Sequence, residues 1–395
     1  MNFREPALKI KDKLIDFRRD FHSHPEVSFC EERTNAVIRK FLEENGIEIQ
    51  EVGAGYSVVG VIRGGKPGKT FAMRADIDAL PMPELNDVEY KSLNEGVMHA
   101  CGHDAHTAAL MGVALLINEV KDQMSGNVKL LFQAAEEKIP GGAKELVEKG
   151  ALENPYVDAV MGFHVSNALP VGKVAFGAGP GAAACDTYKF KIIGKGGHGA
   201  YPHATIDPVV ISAYFITALQ SIVSRNVEPV QGAVITIGSI HGGTKENIIA
   251  DDVEMLATIR SLDEGVRALL HKRIQEVCKG TEAMYGCKVE WELEMGYPVL
   301  INDGAFIEKY AKPSCAKVVG EENLVEVKKS GMGGEDFAYY LQQRPGCFGS
   351  LGSGNAEKGL TKGGHTSLFD IDEDAIWRGA ACLAQTAWDY LEENK

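Results

Sequence analysis

In the first part of the chain, segments with the apolar spacing of strands alternate with segments with the apolar spacing of helices. Strand-like runs at residues 56–63, 70–74 and 128–133 alternate with helix-like stretches at 32–45 and 105–120. Alternation of this kind is typical of a sheet with helices on both faces. We therefore predict an α/β fold for this part of the chain.

The spacing changes after a link rich in Gly and Ala at residues 177–184. A strand, a helix, two strands, a helix and a strand follow, at residues 187–194, 208–225, 234–240, 253–261, 266–285 and 288–295. This order is a β-α-β-β-α-β unit. We predict that a second, α+β domain (184–295) is inserted into a first domain (1–183 and 296–395), which ends with a helix at 374–393.

Composition agrees with a globular protein of two domains, since 45% of the 395 residues are hydrophobic and 24% are charged. A net charge of −14 argues against non-specific binding to nucleic acid or to an anionic membrane. No run of about 18 apolar residues could span a bilayer, and the charged residues 1–20 do not resemble a signal peptide. The eight cysteines lack the spacing of a disulfide framework, so we predict a cytoplasmic protein without disulfides.

Residues 98–106 bring together one thiol, three imidazoles and a carboxylate at the start of an Ala-rich helix-like stretch. Thiolate and imidazole suit ions such as zinc, and Cys101 and His103 can reach one centre from an irregular turn. Two alternatives are a cysteine hydrolase with Cys101 as nucleophile, and a structural zinc. A structural zinc usually takes Cys and His ligands in close pairs, and no further C-x-x-C or H-x-x-x-H pair occurs. We predict a metal site that other segments complete.

Three later segments place ligand-type residues after strand-like or Gly-rich runs. Residues 128–135 lead into the adjacent carboxylates Glu136 and Glu137, residues 159–163 lead into His164, and His365 follows a Gly-rich loop. Neighbouring side chains in an extended segment point in different directions. One carboxylate can therefore bind metal while the other serves as a base, and the spacing leaves open which does which.

Eight motifs occur in one order along the chain, at residues 24–26, 74–81, 99–106, 132–137, 162–164, 197–203, 333–337 and 369–373. In this set and order the chain resembles the two-metal amidohydrolases that include hippurate hydrolase, the auxin-conjugate hydrolases and bacterial N-acyl-amino-acid amidohydrolases, relatives of the aminoacylases. It departs from them at Ala134, where the family usually has Pro, and at 364–367, a variant of the last ligand motif. Neither departure removes a reactive group.

The resemblance implies a metallopeptidase catalytic domain with a central mixed sheet between helices, and an inserted domain that forms the contact of a homodimer. It implies two divalent metal ions per subunit, of zinc, manganese, cobalt or nickel. The implied ligands are Cys101, His103, Glu137, His164 and His365, with Cys101 bridging the ions. The order of the family's Glu-Glu motif makes Glu136 the general base.

The resemblance also assigns residues of the inserted domain. His198 matches a His that stabilises the oxyanion and reaches the site from the partner subunit. Asn247 and Arg260 match positions that face the substrate, and Arg260 suits a carboxylate. The simpler alternatives are a turn histidine for His198 and a solvated strand residue for Arg260.

Several other polar residues have both structural and functional interpretations. Asp76 and Asp78 either orient the metal ligands or cap turns at a strand end. Asp104 and His106 stay outside the ligand set, although both can hydrogen-bond ligands and Asp104 suits a helix N-cap. Glu335 and Asp336 form either a wall of the site or a solvated turn. We interpret His22 and His24 as structural residues.

These features predict hydrolysis of the amide bond of an N-acyl amino acid or related conjugate. Within the same class, a dipeptidase or carboxypeptidase would share the metals and the base. In another class, a metal-dependent ligand-binding protein without turnover would have been free to lose Glu136, which is present. The acyl group, the amino acid and its chirality are not readable from these motifs.

Overall fold

The computed structural model describes all 395 residues. The chain folds into two compact units. The first comprises Met1–Gly181, Ile301–Lys329 and Asp336–Lys395, and the second comprises Ala182–Leu300 and Ser330–Glu335.

Eleven α-helices account for the predicted helical stretches. They are α1 (Arg4–Lys9), α2 (Lys11–Ser23), α3 (Glu32–Glu44), α4 (His103–Val120), α5 (Gly142–Glu148), α6 (Pro208–Asn226), α7 (Glu264–Tyr285), α8 (Gly304–Phe306), α9 (Lys312–Val319), α10 (Ala338–Leu341) and α11 (Asp374–Glu393). A π-helical stretch, Ile307–Ala311, joins α8 to α9. Short 3₁₀ turns lie at Lys121–Gln123, Pro202–Ala204 and Glu321–Asn323.

Sixteen strands accompany them. They are β1 (Glu48–Gln50), β2 (Val58–Arg63), β3 (Lys66–Asp76), β4 (Ser125–Gln133), β5 (Ala159–Pro170), β6 (Val174–Phe176), β7 (Gly179–Ala182), β8 (Ala184–Ile193), β9 (Gly197–His198), β10 (Ala233–Gly242), β11 (Ile248–Ile249), β12 (Asp252–Ser261), β13 (Lys288–Glu294), β14 (Leu300–Asn302), β15 (Leu324–Glu326) and β16 (Gly346–Gly354).

The first unit is built on an eight-stranded sheet in the order β1-β2-β4-β3-β5-β16-β6-β15. Its central strands β4, β3, β5 and β16 run parallel to one another, whereas the pairs β1–β2, β2–β4 and β16–β6 are antiparallel. The predicted α/β fold with a mixed central sheet is therefore confirmed. Because β3, β4 and β5 are parallel, their carboxyl ends meet at one edge of the sheet, which is where ligands bind in open α/β sheets.

Helices α4 and α11 are buried along most of their length in the core of the first unit. Gly112 lets other elements approach α4 closely, because a Cβ there would lie 2.9 Å from the Leu14 side chain of α2 and from Ala380 Cβ of α11. The Ala-rich sequence of α4 serves the same purpose, since small side chains permit close packing on several sides. This packing fixes the amino end of α4, where His103 lies.

The second unit has a four-stranded antiparallel sheet in the order β10-β12-β8-β13. Its core contains residues of α6 and α7, among them Phe215 and Leu270. The unit also holds residues 330–335, a segment that the sequence did not indicate, because Ala183 N donates a 2.8 Å hydrogen bond to Gly333 O. Local periodicity carries no signal for such a contact, which joins residues distant along the chain.

The expectation that no stretch could span a bilayer does not hold by length and composition, because α6 is long and apolar enough to cross a membrane, with 33% of the apolar stretch buried. Its inner face contributes Ile211, Phe215 and Leu219 to the core of the second unit. Buried helices of globular domains have the same composition, so this feature is weak evidence for a membrane span.

Candidate metal centre and active site

The predicted ligands of the first unit lie where parallel strands end. Asp76 ends β3 and is in register with Gln133, the last residue of β4, so Glu136 and Glu137 follow at the same level. His164 of β5 lies beside them, because Arg74 is in register with Gly162. The sheet therefore brings together carboxylates and an imidazole that are distant in the sequence.

The Cys101–His103 segment approaches this edge through a tight turn. Gly102 has φ 88°, a left-handed conformation, and a Cβ on it would lie 2.4 Å from Cγ2 of Val165. Glycine is thus required both by the backbone and by the space. Cys101 lies in the predicted irregular turn, whereas His103 is already the first residue of α4.

Cys101 belongs to two groups of potential ligands. In one, atoms of Cys101, His103 and His164 lie within 4.8 Å of one another, and in the other the same holds for Cys101, Glu137 and His365. The first group includes a 3.3 Å contact between Cys101 Sγ and His164 Nε2. All five predicted ligands are therefore brought together, and the one residue common to both groups is the predicted bridging thiolate.

Two buried atoms in these groups have no hydrogen-bond partner, His103 Nε2 and Glu137 Oε1, and they lie 4.0 Å apart. Glu137 Oε1 also lies 3.1 Å from Nε2 of His365. Leaving buried polar atoms unpaired is costly. An imidazole nitrogen and a carboxylate oxygen 4.0 Å apart fit a cation between them.

The electrostatics of the cluster favour a thiolate. Burial alone would raise the pKa of Cys101, but the His164 and His103 imidazoles bring it down to about 6. Burial lowers the pKa of His164, and the charge of Cys101 more than offsets this and raises it to about 9. The thiolate is the form of cysteine that binds metals.

Asp78 holds two predicted ligands at once. Its Oδ1 lies 3.0 Å from Nδ1 of His103, and its Oδ2 accepts hydrogen bonds from Glu137 N at 3.0 Å and from Ser28 Oγ at 2.7 Å. Because Nδ1 of His103 is engaged in this way, Nε2 is the nitrogen left for a metal. The geometry favours the ligand-orienting interpretation of Asp78 over a turn cap.

Asp76 and His106 support a third predicted ligand, His164. Asp76 accepts a hydrogen bond from Arg74 Nη1 at 2.6 Å, and its other oxygen lies 2.5 Å from His106 Nδ1. His106 Nε2 in turn accepts the Val165 N–H at 2.9 Å, which fixes the backbone next to His164. Burial lowers the pKa of His106 to about 4, so the ring is neutral with its proton on Nδ1.

His106 also lies within 4.8 Å of Asp76 and His103 in a group that could hold a metal. Both of its nitrogens are already engaged, so we interpret it as a support of the ligand set. Sequence reasoning left this role open, although the spacing of three residues from His103 within one helix places both rings on the same face.

Replacing His106 with Ala is expected to weaken metal binding about 10–100-fold, because residues that orient metal ligands typically have effects of this size. A competition titration against a chromophoric chelator measures the change in apparent Kd. His24→Ala, at a half-buried histidine whose Nδ1 contacts Asp20 O, serves as the control. An unchanged Kd in His106→Ala would remove His106 from the ligand support.

The N-cap interpretation of Asp104 is wrong, because Gly102 is the N-cap residue of α4. Asp104 instead accepts a 2.7 Å hydrogen bond from Arg18 Nε and lies 2.7 Å from His22 Nδ1, all three side chains being buried. This arrangement ties α4 to α2 and agrees with a structural role for His22.

Asp336 is buried, so the solvated-turn interpretation is wrong for it. It accepts hydrogen bonds from Arg74 Nη2 at 2.7 Å, from Gln133 Nε2 at 2.7 Å and from Ala143 N at 3.0 Å. It therefore anchors the ends of β3 and β4. Glu335 is also buried, with 5% of its surface exposed.

The second unit carries His198, Asn247 and Arg260. His198 is exposed in β9, which pairs with β11, and its Nδ1 accepts the Ala200 N–H at 3.0 Å. This leaves Nε2 as the protonated nitrogen, able to donate. Asn247 is exposed and lies near His198, because its backbone carbonyl accepts the Gly199 N–H. Arg260 is half-buried on β12.

The chain is similar to known proteins in both sequence and structure. The model of peptidase family M20/M25/M40 matches residues 72–389. A thermostable carboxypeptidase 2 of Saccharolobus solfataricus is 43% identical over 96% of this chain and 95% of its own length. An N-acetyl-L-cysteine deacetylase of Bacillus subtilis is 39% identical over 98% and 90%. A solved dinuclear metal-binding peptidase of the M20 family from Bacillus subtilis superposes with a TM-score of 0.82 at 34% identity, covering 97% of this chain and 99% of its own.

Proposed function

The chain belongs to peptidase family M20/M25/M40, and from this membership we propose that it is a metal-dependent hydrolase of the amide bond in N-acyl amino acids or related conjugates. The observation that carries the proposal is that Cys101 is shared by two ligand groups beside Glu136. The deacetylase relative supports the choice of substrate class.

Two divalent ions are the proposed cofactors; Cys101, His103, Glu137, His164 and His365 would hold them, with Cys101 shared between two groups of these ligands. When bound, such ions polarise a carbonyl and lower the pKa of water. The donor set of one thiolate, three imidazoles and a carboxylate suits zinc, cobalt or nickel, and also accepts manganese. The solved M20 relative, a dinuclear metal-binding peptidase, supports a pair of ions.

Glu136 is the proposed general base. It is buried, with 7% of its surface exposed, and lies within 4.8 Å of ligand atoms of His103 and Glu137. In this role Glu136 removes a proton from the attacking water and later delivers it to the leaving nitrogen. Proton transfer by a positioned side chain contributes about 10²–10⁴-fold to rate.

His198, Asn247 and Arg260 are the proposed substrate contacts of the second unit. The Nε2–H of His198 can donate to the oxyanion, and the Arg260 guanidinium can bind the carboxylate of the amino-acid part. We extend the proposal to a homodimer formed through this unit, in which His198 serves the partner's site. A cytoplasmic location is also part of the proposal and is checked by cell fractionation.

His198→Ala is expected to lower kcat about 10²–10³-fold, the typical effect of losing one oxyanion donor. Mixing it with Glu136→Ala should restore activity, because each mixed dimer then contains one site with both residues intact. The measurement is kcat of separately tagged, co-purified mixed dimers. Absence of rescue in verified mixed dimers would place His198 in its own subunit's site or outside catalysis.

A carboxypeptidase or dipeptidase is the second candidate, favoured by the carboxypeptidase relative at 43% identity. The two functions use the same ligands and base and differ in the group on the acyl side of the scissile bond. The distinction therefore depends on kcat/KM for matched substrates that share one amino acid and differ in the acyl or aminoacyl group.

The test is hydrolysis of N-acyl amino acids, dipeptides and aryl-amide conjugates by chelator-treated protein, with zinc, manganese, cobalt or nickel added back. The proposal expects amine release that depends on added metal and is highest for N-acyl amino acids. Higher kcat/KM for dipeptides would favour the second candidate. No release from any substrate, with metals verified as bound, would favour the non-catalytic alternative.

A further inference from the structure

Glu31 is a buried carboxylate with an unusual set of partners. Its side chain is fully buried; Oε1 accepts the Ala135 N–H at 2.7 Å, and Oε2 has no hydrogen-bond partner. Glu31 occupies the N-cap position of α3, yet its side chain makes no capping hydrogen bond. The Glu31 side chain instead binds the backbone of Ala135, which lies 104 positions away in the sequence.

Ala135 is the turn that leads from β4 into the two carboxylates Glu136 and Glu137. Its φ is +54°, in the left-handed region that residues other than glycine rarely adopt. Such a conformation persists only where the surroundings hold it in place. The Ala135 carbonyl accepts the Gly142 N–H at 3.1 Å, and Ala134 N donates to Ser57 Oγ at 3.0 Å, so the Glu31 bond completes the hold on this turn.

The two backbone amides that flank Glu136 are each held by a different carboxylate. Ala135 N is bound by Glu31, and Glu137 N is bound by Asp78 Oδ2 at 3.0 Å. Glu137 thus has its own anchor in Asp78, which also orients His103. The bond to Glu31 acts on the other side, at the residue directly before the proposed base.

We propose that Glu31 is a positioning residue for Glu136: its Oε1 fixes the left-handed turn at Ala135 and thereby the direction of the general base. This inference rests on the proposed function, since it assigns Glu31 to the same site. It concerns the hydrogen-bond acceptor at Oε1 and requires no charge on Glu31.

The protonation state of Glu31 agrees with such a role. Burial, and next the charge of Asp78, raise the pKa of Glu31 to about 7. A neutral carboxyl group still offers a carbonyl oxygen to Ala135 N and is less costly to bury than a carboxylate. Glutamine keeps that oxygen and the size of the side chain, whereas aspartate is one methylene shorter and alanine lacks the acceptor.

The experiment compares Glu31→Ala, Glu31→Gln and Glu31→Asp in the metal-loaded enzyme, on the substrate that the wild type hydrolyses fastest. Glu31→Ala and Glu31→Asp should lower kcat about 10–100-fold with KM within about twofold, because a misplaced catalytic group costs rate at the chemical step. Glu31→Gln should stay within about threefold of wild-type kcat. Bound metal per subunit should be the same in all.

Asp158→Ala is the matched control, because Asp158 Oδ2 also accepts a backbone N–H, that of Thr70, at 2.9 Å. Thr70 lies in β3, six residues before Asp76, so this bond is near the middle of the strand and away from its carboxyl end. We expect a lower Tm for Asp158→Ala, with kcat and metal content unchanged.

Three results would overturn the inference. One is wild-type kcat in folded Glu31→Ala and Glu31→Asp, and another is loss of metal with normal kcat per loaded subunit, which would assign Glu31 to the ligands. The third is a Glu31→Gln enzyme as slow as the other variants, which would mean that charge matters and the acceptor does not. If Glu31→Ala does not fold, Glu31→Gln and Glu31→Asp still decide, whereas inactivity of the wild type would contradict the proposed function instead.

Discussion

Glu136→Gln should bind the same amount of metal as the wild type and turn over about 10²–10⁴-fold more slowly, the usual contribution of a general base. The amide has the size of the carboxylate but cannot take a proton from water. The ligand Glu137 keeps its backbone anchor on Asp78, so the metal groups stay intact. The measurement pairs kcat with metal per subunit by mass spectrometry.

Glu148→Gln is the control for this prediction, because Glu148 is an exposed glutamate on the nearby helix α5. It should match the wild type in both quantities. Near-normal turnover of metal-loaded Glu136→Gln would show that another group acts as the base. Loss of metal in Glu136→Gln would instead make Glu136 a ligand and exchange the roles proposed for the two neighbouring carboxylates.

Cys101→Ala should lose metal and fall in kcat/KM by about three orders of magnitude, because a catalytic ion supplies several kcal/mol and about 1.4 kcal/mol corresponds to a factor of ten. The reason lies in the position of Cys101 in both ligand groups, so that one substitution removes a ligand from each. Cys101→Asp should recover part of both properties, since a carboxylate has two oxygens that can bind two ions.

Metal per subunit and kcat/KM at saturating zinc or manganese check this prediction. Cys30→Ala is the control, because Cys30 is an exposed cysteine outside both ligand groups. Two tightly bound ions in Cys101→Ala would contradict the bridging assignment. Normal metal content with no activity would instead return to the alternative in which Cys101 is a nucleophile.

The sequence predicted the elements well where the signal is local. The terminal helix expected at 374–393 is α11, Asp374–Glu393, and the helix expected at 208–225 is α6, Pro208–Asn226. Hydrophobic periodicity reports which face of an element is buried, and that information lies within the element itself. Strand order is different: β4 lies between β2 and β3, a crossover that no local pattern specifies.

The ligand-type residues were visible in the sequence, but their supports were not. Arg18 and Asp104 are 86 positions apart and meet in a buried ion pair, although Asp104 suited an N-cap by its local position. Asp78 suited a turn cap equally well, and only its bonds to His103 and to the backbone of Glu137 distinguish the two roles. Local sequence describes what a side chain can do, and long-range packing selects its partner.

By itself, the sequence determined the fold class, the helices and strands, and the identity of five potential ligands and two neighbouring carboxylates. The tertiary structure alone decided that the predicted ligands come together in two groups that share Cys101, because three parallel strands end at one edge and the segments of Cys101 and His365 meet them there. It also decided that Glu31 contacts Ala135, since a hydrogen bond across 104 residues requires the chain to be folded. The physical reason is that reactivity belongs to residue types, whereas distances between them exist only after the sheet has formed.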